Sequence, residues 1–428
     1  MVSKKDLEEL LQAGVISEEV AGSISDYYGK KDSNAGNRLI VIFSIVGATL
    51  IGGGIVLIFA SNWDQLSQLT KTILAFVPLI LGQLLMVFVL LRKNENQTWR
   101  ESSGVFQLLT IGATISLVSQ VYYIPGRLDQ FMLLWTALSL PIIYLMRSSV
   151  ASLLYLLGIM FYAIFTDSEI YQPYGFFFFL VLFLAGLPHY LHLIRTKSKS
   201  ALTTTHHWII PFVLVIASIS IGDQNDSLMF LVFISLFCLY ELIGKLPYFD
   251  NLHPTKNTFL FIGSIGVIIT LLVVSYKDYW QKLVEKGIDL SETFLIPEIL
   301  AIAVFSLPAC YLMYRQIVKK TFHSLSPTQP AYVIAIIIFL IGLQSSLAVI
   351  LINVYIFIIG LLIIIKGMKT DHLGKLNYGL VIITFLVIFR VFDTNLSFVL
   401  RGLLFLIVGV GFFITNFQLL KKRKAHEK

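Results

Sequence analysis

Apolar residues in this chain arrive in long runs rather than in the alternating pattern of a half-buried strand. Stretches near the roughly 17 to 25 residues that cross about 30 Å of hydrocarbon lie at 39–60, 70–91, 104–124, 130–146, 149–165, 174–194, 208–221, 227–244, 258–276, 294–314, 331–345, 350–366, 376–391 and 396–418. A backbone in lipid must satisfy its own hydrogen bonds, and without alternation a barrel is excluded, so each run is predicted to be a helix. The fold class read from the pattern is all-α: a polytopic transmembrane helix bundle of about 14 spans.

The interval 331–366 carries no charge before Lys366. As one helix it would be about 54 Å long at 1.5 Å per residue, too long for tilt to absorb, so a hairpin is expected. Its turn falls either at Gln344, Ser345 and Ser346 or at Asn353. Charge parity supports the hairpin, because cytoplasmic loops are enriched in Lys and Arg. With fourteen spans, one face collects 25 of the 32 basic residues and the other holds Lys71, Arg127, Lys277, Lys282, Lys286, Arg390 and Arg401. Merging 331–366 into one helix would reduce the bias to 19 against 13. Both termini are therefore expected in the cytoplasm.

Three parts follow: a cytoplasmic helical hairpin over 1–36, a transmembrane domain over 37–420 and a basic tail over 421–428. Within the hairpin, Leu7, Leu10 and Leu11 form an apolar stripe, Gly14 breaks the first helix, and Ser17 before Glu18 and Glu19 caps the second. So small a hairpin buries little alone, so residues 3–30 are expected to dock on the membrane domain, a second copy or a protein partner. A mixed-charge external loop at 277–293 follows Tyr276 and holds Tyr279 and Trp280, aromatic residues at the depth of an interfacial belt. In the first run, Ala48 and Gly52 make a small-x-x-x-small step suited to close helix packing.

Composition agrees with the pattern. The chain of 428 residues is 57% hydrophobic and 13% charged, half the charged fraction of about 25% usual in soluble domains. The net charge of +7 would raise nucleic acid as a partner in a soluble domain. Here the basic residues sit in short clusters between apolar runs, with no aromatic-interleaved patch to stack bases, so no nucleic-acid binding is expected. Membrane lipids are the expected surroundings. Cys238 and Cys310 both fall inside apolar runs and form no pairing framework. The charged segment before Leu39 is too long for the front of a signal peptide, so the N terminus is expected to be retained.

The N-terminal Leu7, Leu10, Gly14, Val15, Ile16 and Ser17 precede Gly47-Ala48-Thr49 and Gly52-Gly53-Gly54, which lead to Asn62-Trp63-Asp64. Further on come Gly112-Ala113-Thr114, Ser119-Gln120-Val121-Tyr122 and Leu134-Trp135. Together these resemble a domain-of-unknown-function family of bacterial polytopic membrane proteins over about the first 160 residues. The Arg390-Val391-Phe392-Asp393 and Arg401-Gly402 segments are similar to the same group. The resemblance implies a bacterial cytoplasmic (inner) membrane and supplies no activity.

No Gly-x-x-x-x-Gly-Lys, Gly-x-Ser-x-Gly, His-Glu-x-x-His or Cys-x-x-Cys occurs, which removes support for a nucleotide-driven pump, a serine hydrolase and a zinc protease. We expect no cofactor. His189 and His192 are one turn apart, with His206 and His207 in the following loop, a spacing that invites a metal. All eight histidines fall on the cytoplasmic side, where headgroup water solvates imidazole, so they are read as solvated side chains and no metal is expected. Glu241 and Lys245 read as an ordinary i,i+4 helix pair.

The sharper constellation lies on the outer face. Asn62 and Trp63 end the first span, Gln120 and Tyr123 the third, Trp135 begins the fourth, Glu298 lies just inside the tenth, and Arg390, Asp393 and Arg401 flank the last external turn. An ionisable group at mid-bilayer costs about 2.5 to 3.5 kcal/mol on the translocon scale, and Glu298 is the most exposed to that penalty. Arg390 and Asp393 can pair, which would leave Arg401 free as a fork for phosphate or carboxylate. The competing reading makes the same side chains interfacial anchors.

Three functions remain open at this point. The first is a transporter-like or lipid-handling protein binding an anionic or amphipathic solute at the outer constellation. The second is a non-transporting scaffold or sensor that recruits a partner through the N-terminal hairpin. The third is a lipid-linked transferase using Glu298 or Asp393 as base, which the lack of a large extramembrane loop disfavours.

Overall fold

A computed structural model describes residues 9–24, 63–166, 173–221, 226–253, 256–286, 297–318, 327–393 and 397–426. The chain divides into two compact units, Met1–Leu74 and Ala75–Lys428.

In the first unit, residues 9–12 and 18–24 are helical. Gly14 between them has φ +66°, the left-handed conformation that ends a helix at low steric cost only in glycine. The Ser17 Oγ accepts the Val20 N–H at 3.4 Å, a cap in the place expected for one. Trp63–Gln65 forms a single 3-10 turn. The expected first span at 39–60, with Ala48 and Gly52, lies outside the described residues.

Among the described residues of the second unit, and the end of the first that leads into it, there is helix and no strand. In chain order the helices are α1 (Gln68–Arg92), α2 (Gln97–Val121), α3 (Leu128–Met146), α4 (Ser149–Phe165), α5 (Pro173–Thr196), α6 (Ala201–Ile219), α7 (Asp226–Gly244) and the short α8 (Pro247–Asp250). They continue as α9 (Thr258–Val273), α10 (Lys277–Lys286), α11 (Pro297–Val318), α12 (Ala331–Gly342), α13 (Leu347–Lys369), α14 (Leu373–Asp393) and α15 (Phe398–His426). Polar caps fix several boundaries: Asn96 accepts from the Trp99 N–H, Ser148 from Ala151 and Asn257 from Leu260. Among the described residues nine helices are long and apolar enough to cross a membrane, or ten if α9 and α10, bent by 68° at their junction, count as one span.

The interval 331–366 is a hairpin, broken at Leu343–Ser346 between α12 and α13. The turn falls at Gln344–Ser346 and not at Asn353, which lies inside α13 and donates its amide to the Val349 carbonyl at 2.7 Å. With 12 residues, α12 is only about 18 Å long, short of a full hydrocarbon crossing.

Beside smaller ones around Val89, Leu108 and Met146 and around Ile364, Leu376 and Leu380, two large apolar clusters build most of the core. One runs from Ile143 on α3 through Tyr155 on α4, Phe179 on α5 and Val213 on α6 to Tyr240 on α7 and Phe305 on α11. The other joins Ile234 on α7 and Val267 on α9 to Trp280, Ile338 on α12, Ile356 on α13 and Leu386 on α14. The α7–α9 pair belongs to both, and the helices approach so closely that a Cβ on Gly263 would lie 2.7 Å from the Glu241 nitrogen. On the opposite faces Leu69, Leu84, Leu91, Leu307 and Phe413 are exposed, as suits surfaces whose solvent is hydrocarbon.

Three expectations need correction. His206 and His207 belong to α6, which starts at Ala201, and not to a loop. Residues 277–286 of the expected external loop form an amphipathic helix. Trp280 on it is no belt residue: it is 1% exposed, donates its indole N–H to the Val274 carbonyl at 2.6 Å and fills the space beside Gly342.

Candidate functional site

Among the described residues a groove of about 1020 Å³ opens between α1, α2 and α3. Its body is apolar, walled by Phe76, Leu79, Ile111, Leu134, Leu138 and Ile142. The mouth, at the C-terminal end of α2, presents Ser116, Ser119, Arg127 and Gln130. The local chain folds this way because α2 stops at a left-handed residue, Tyr123 at φ 51°, followed by Pro125, which cannot continue the helix. Ser119 Oγ then donates to the Ile124 carbonyl at 2.9 Å, closing the turn. Arg127 forks onto Asp129, with Nε to Oδ1 at 3.0 Å and Nη2 to Oδ2 at 3.3 Å, so the charges at the mouth cancel. At the deep end of the α2 wall, Gln107 is 3% exposed and its Oε1 has no hydrogen-bond partner, a polar foothold within an apolar wall. Such a shape suits a solute with a neutral or zwitterionic head and an apolar body.

The residues singled out from the sequence are distributed over separate places. Asn62 lies outside the described residues. Trp63 opens the 3-10 turn of the first unit, and the Lys71 ammonium stands 5.7 Å from its ring centroid. Gln120 is exposed beside the groove mouth, and Tyr123 is 88% exposed. Trp135 has a packing role: its indole N–H donates to the Leu108 carbonyl at 2.7 Å, and its ring covers Gly112. Glu298 is fully buried at the start of α11, a helix that packs on α7.

Arg390 and Asp393 are brought together at 2.7 Å. The same guanidinium donates to Ser275 Oγ at 3.1 Å and lies over the Tyr276 ring, while Asn353 donates to the Ser275 carbonyl at 3.2 Å. This knot ties the ends of α9, α13 and α14 and engages Asp393 in an ion pair, a poor setting for a general base. Arg401 packs its guanidinium over the Phe398 ring at 5.6 Å and is not the free fork expected of it.

Two further polar groups were misread from sequence. Glu241 does not pair with Lys245: Lys245 binds Asp250 at 2.9 Å, and Glu241, fully buried, faces the Thr328 hydroxyl at 2.6 and 2.7 Å from its two oxygens. The histidines of α5 and α6 are not all solvated. His189, His206 and His207 are 5%, 0% and 1% exposed. His207 Nδ1 bonds the Tyr190 hydroxyl at 2.7 Å, and His206 Nε2 meets Ser152 Oγ at 3.2 Å. Among the described residues no group of three or more His, Cys, Asp or Glu is placed to hold a metal.

Residues 8–152, which include every wall of the groove, match the model of a family described as "Predicted membrane protein (DUF2157)". Comparison with curated proteins and with solved structures gives no match.

Proposed function

We propose that the protein handles an amphipathic, lipid-like solute, with the α1–α3 groove as its binding site. The observation that carries this reading is the groove itself: about 1020 Å³ of apolar volume with a charge-balanced polar mouth at one end. A head group beside Ser119, Gln130 and the Arg127–Asp129 pair would leave an acyl body along Ile111, Leu134 and Leu138. The Arg390 knot stiffens the other half of the bundle, and the outer site expected from Asn62, Gln120, Glu298, Arg390, Asp393 and Arg401 contracts in this proposal to the groove mouth. The accompanying topology is fourteen spans in a bacterial inner membrane with both termini cytoplasmic.

A photoactivatable phosphatidylcholine analogue tests the reading. Reconstituted protein should carry the label mainly on peptides within 76–145, and Leu134→Trp with Leu138→Trp, which fill the groove, should remove most of it. Label spread evenly over all lipid-facing helices, unchanged in the filled variant, rejects the proposal.

One observation favours the scaffold reading as a second role: Leu10, Val15 and Val20 of the N-terminal hairpin are exposed, an apolar surface suited to a protein partner. Deleting residues 1–30 should then abolish partner capture while leaving photolabelling intact.

A further inference from the structure

At the other end of α2, about 37 Å from the groove mouth for a helix of 25 residues, lies a second cavity of about 240 Å³. It is enclosed by the α1–α2 loop, the α3–α4 junction and the end of α5. Its charged lining is Arg100, Arg147 and Lys197 against one carboxylate, Glu95, with His189 and His192 completing the wall. Leaving the imidazoles aside, the lining carries two net positive charges.

The side chains are held in place. Arg100 Nε donates to the Met146 carbonyl at 2.8 Å, which fixes the guanidinium plane. Arg147 occupies the left-handed region, φ 44°, at the C terminus of α3, with the Ser148 N–H bonded back to the Ile143 carbonyl at 3.3 Å. His189 is 95% buried, and its Nε2 has no hydrogen-bond partner. A buried polar nitrogen left unsatisfied costs about 1 to 3 kcal/mol, and the three cations around the narrow cavity outnumber the carboxylates that act on them, Glu95 in the lining and Glu101 beside it.

The C-terminal dipoles of α3 and α5 account for Arg147 and Lys197 singly. They do not account for the convergence of all three cations on one cavity or for the orphaned imidazole; Arg100 itself is also held by the Met146 and Asn94 carbonyls, at 2.8 and 3.4 Å. An anion answers all of these at once. The volume equals about eight waters at 30 Å³ each, room for a tetrahedral oxyanion with part of its hydration. The Arg147 fork, the remaining N–H groups of Arg100, an ammonium and an imidazole are the donors that phosphate oxygens select.

We propose that this cavity binds a phosphate group, supplied either by an anionic lipid headgroup or by a soluble phosphate. It stands at the bundle end where basic residues concentrate, the level at which basic pockets between spans take lipid headgroups. The site shares no residue with the α1–α3 groove and does not depend on the function assigned to it.

The test uses the full-length protein with two probes: inorganic phosphate in equilibrium dialysis, and nanodiscs of phosphatidylcholine containing phosphatidic acid, read by native mass spectrometry. The variant Arg147→Asn with Lys197→Gln removes two charges while keeping a residue tolerant of the left-handed conformation at 147. Should it misfold, Lys197→Gln with His192→Gln alters exposed side chains only. Phosphate binding weakened about tenfold or more in the variant, without lipid retention, identifies a soluble source. Phosphatidic acid retained by the wild type and lost from the variant identifies the headgroup. Binding of neither probe by folded wild type, or binding indifferent to the substitutions, overturns the proposal.

Discussion

The carboxylate of Glu101, on α2, accepts the backbone N–H of Ser149 at 3.0 Å, at the first turn of α4. It also takes the Val150 N–H at 3.0 Å and the Ser148 hydroxyl, so one side chain from 48 residues upstream satisfies donors that a helix start leaves open. An anion is favoured there by the helix dipole as well. Glu101→Ala should therefore lower stability by about 1.5 to 3 kcal/mol, the range for hydrogen bonds to a charged group. Glu101→Gln, which keeps an acceptor, should cost less. Thermal unfolding in detergent measures both, and equal Tm values for wild type and Glu101→Ala would remove this role.

Gly112 and Trp135 make a sharper steric case. A Cβ at Gly112 would stand 2.6 Å from the Trp135 ring, and that ring is held by its bond to the Leu108 carbonyl. Gly112→Ala must displace the indole, at a cost of about 1 to 3 kcal/mol for overpacking. A shift of Trp fluorescence together with a lower Tm is the expected signature. Trp135→Phe in the Gly112→Ala background should recover part of the loss, because the smaller ring yields the space.

For Arg390 and Asp393, side chains 20% and 12% exposed, the expected coupling lies between the exposed and buried regimes of ion pairs, about 1 to 3 kcal/mol. A double-mutant cycle with Arg390→Gln and Asp393→Asn measures it. Arg390→Gln should be the more damaging single change, because it also breaks the bond to Ser275 Oγ. A coupling near zero would return both residues to the role of independent interfacial anchors.

The helices were legible because hydrocarbon thickness dictates the length of an apolar run, and such runs survive in sequence without any knowledge of partners. The hairpin over 331–366 followed from the same arithmetic, which left its turn open between 344–346 and Asn353. Caps made by neighbours, such as Ser17, Asn96 and Ser148, are local and were equally open to reading. Contacts between distant helices were not. Nothing within four residues of Glu241 points to Thr328, and nothing near Glu101 points to Val150. In spans that are apolar all round, periodicity is too shallow to say which face meets protein and which meets lipid. His189 and His207 consequently read as solvated, although each is packed against aromatic rings. The groove was illegible for the same reason, since Leu134 and Leu138 look like any other lipid-facing leucines.

Membrane orientation is open to a direct test at two loop positions. Gly126, in the α2–α3 turn, has open space where a Cβ would stand, and Lys199, between α5 and α6, is exposed, so a cysteine fits at either site. Cys310 is exposed and Cys238 buried, so a Cys310→Ser background removes the accessible native thiol. The excess of Lys and Arg on the face bearing Lys199 predicts a cytoplasmic location for that face. In spheroplasts a membrane-impermeant maleimide should therefore label Gly126→Cys at once and Lys199→Cys only after permeabilisation. A reporter fused after Lys428 should behave as cytoplasmic if the proposed fourteen crossings hold, because an even number returns the tail to the side of the N terminus. Reversed labelling would invert the assignment and place the proposed phosphate cavity outside. An external tail with the labelling as expected would instead show that one helix after Lys199 does not cross, and the 12-residue α12, too short for the hydrocarbon it would have to span, is the first candidate.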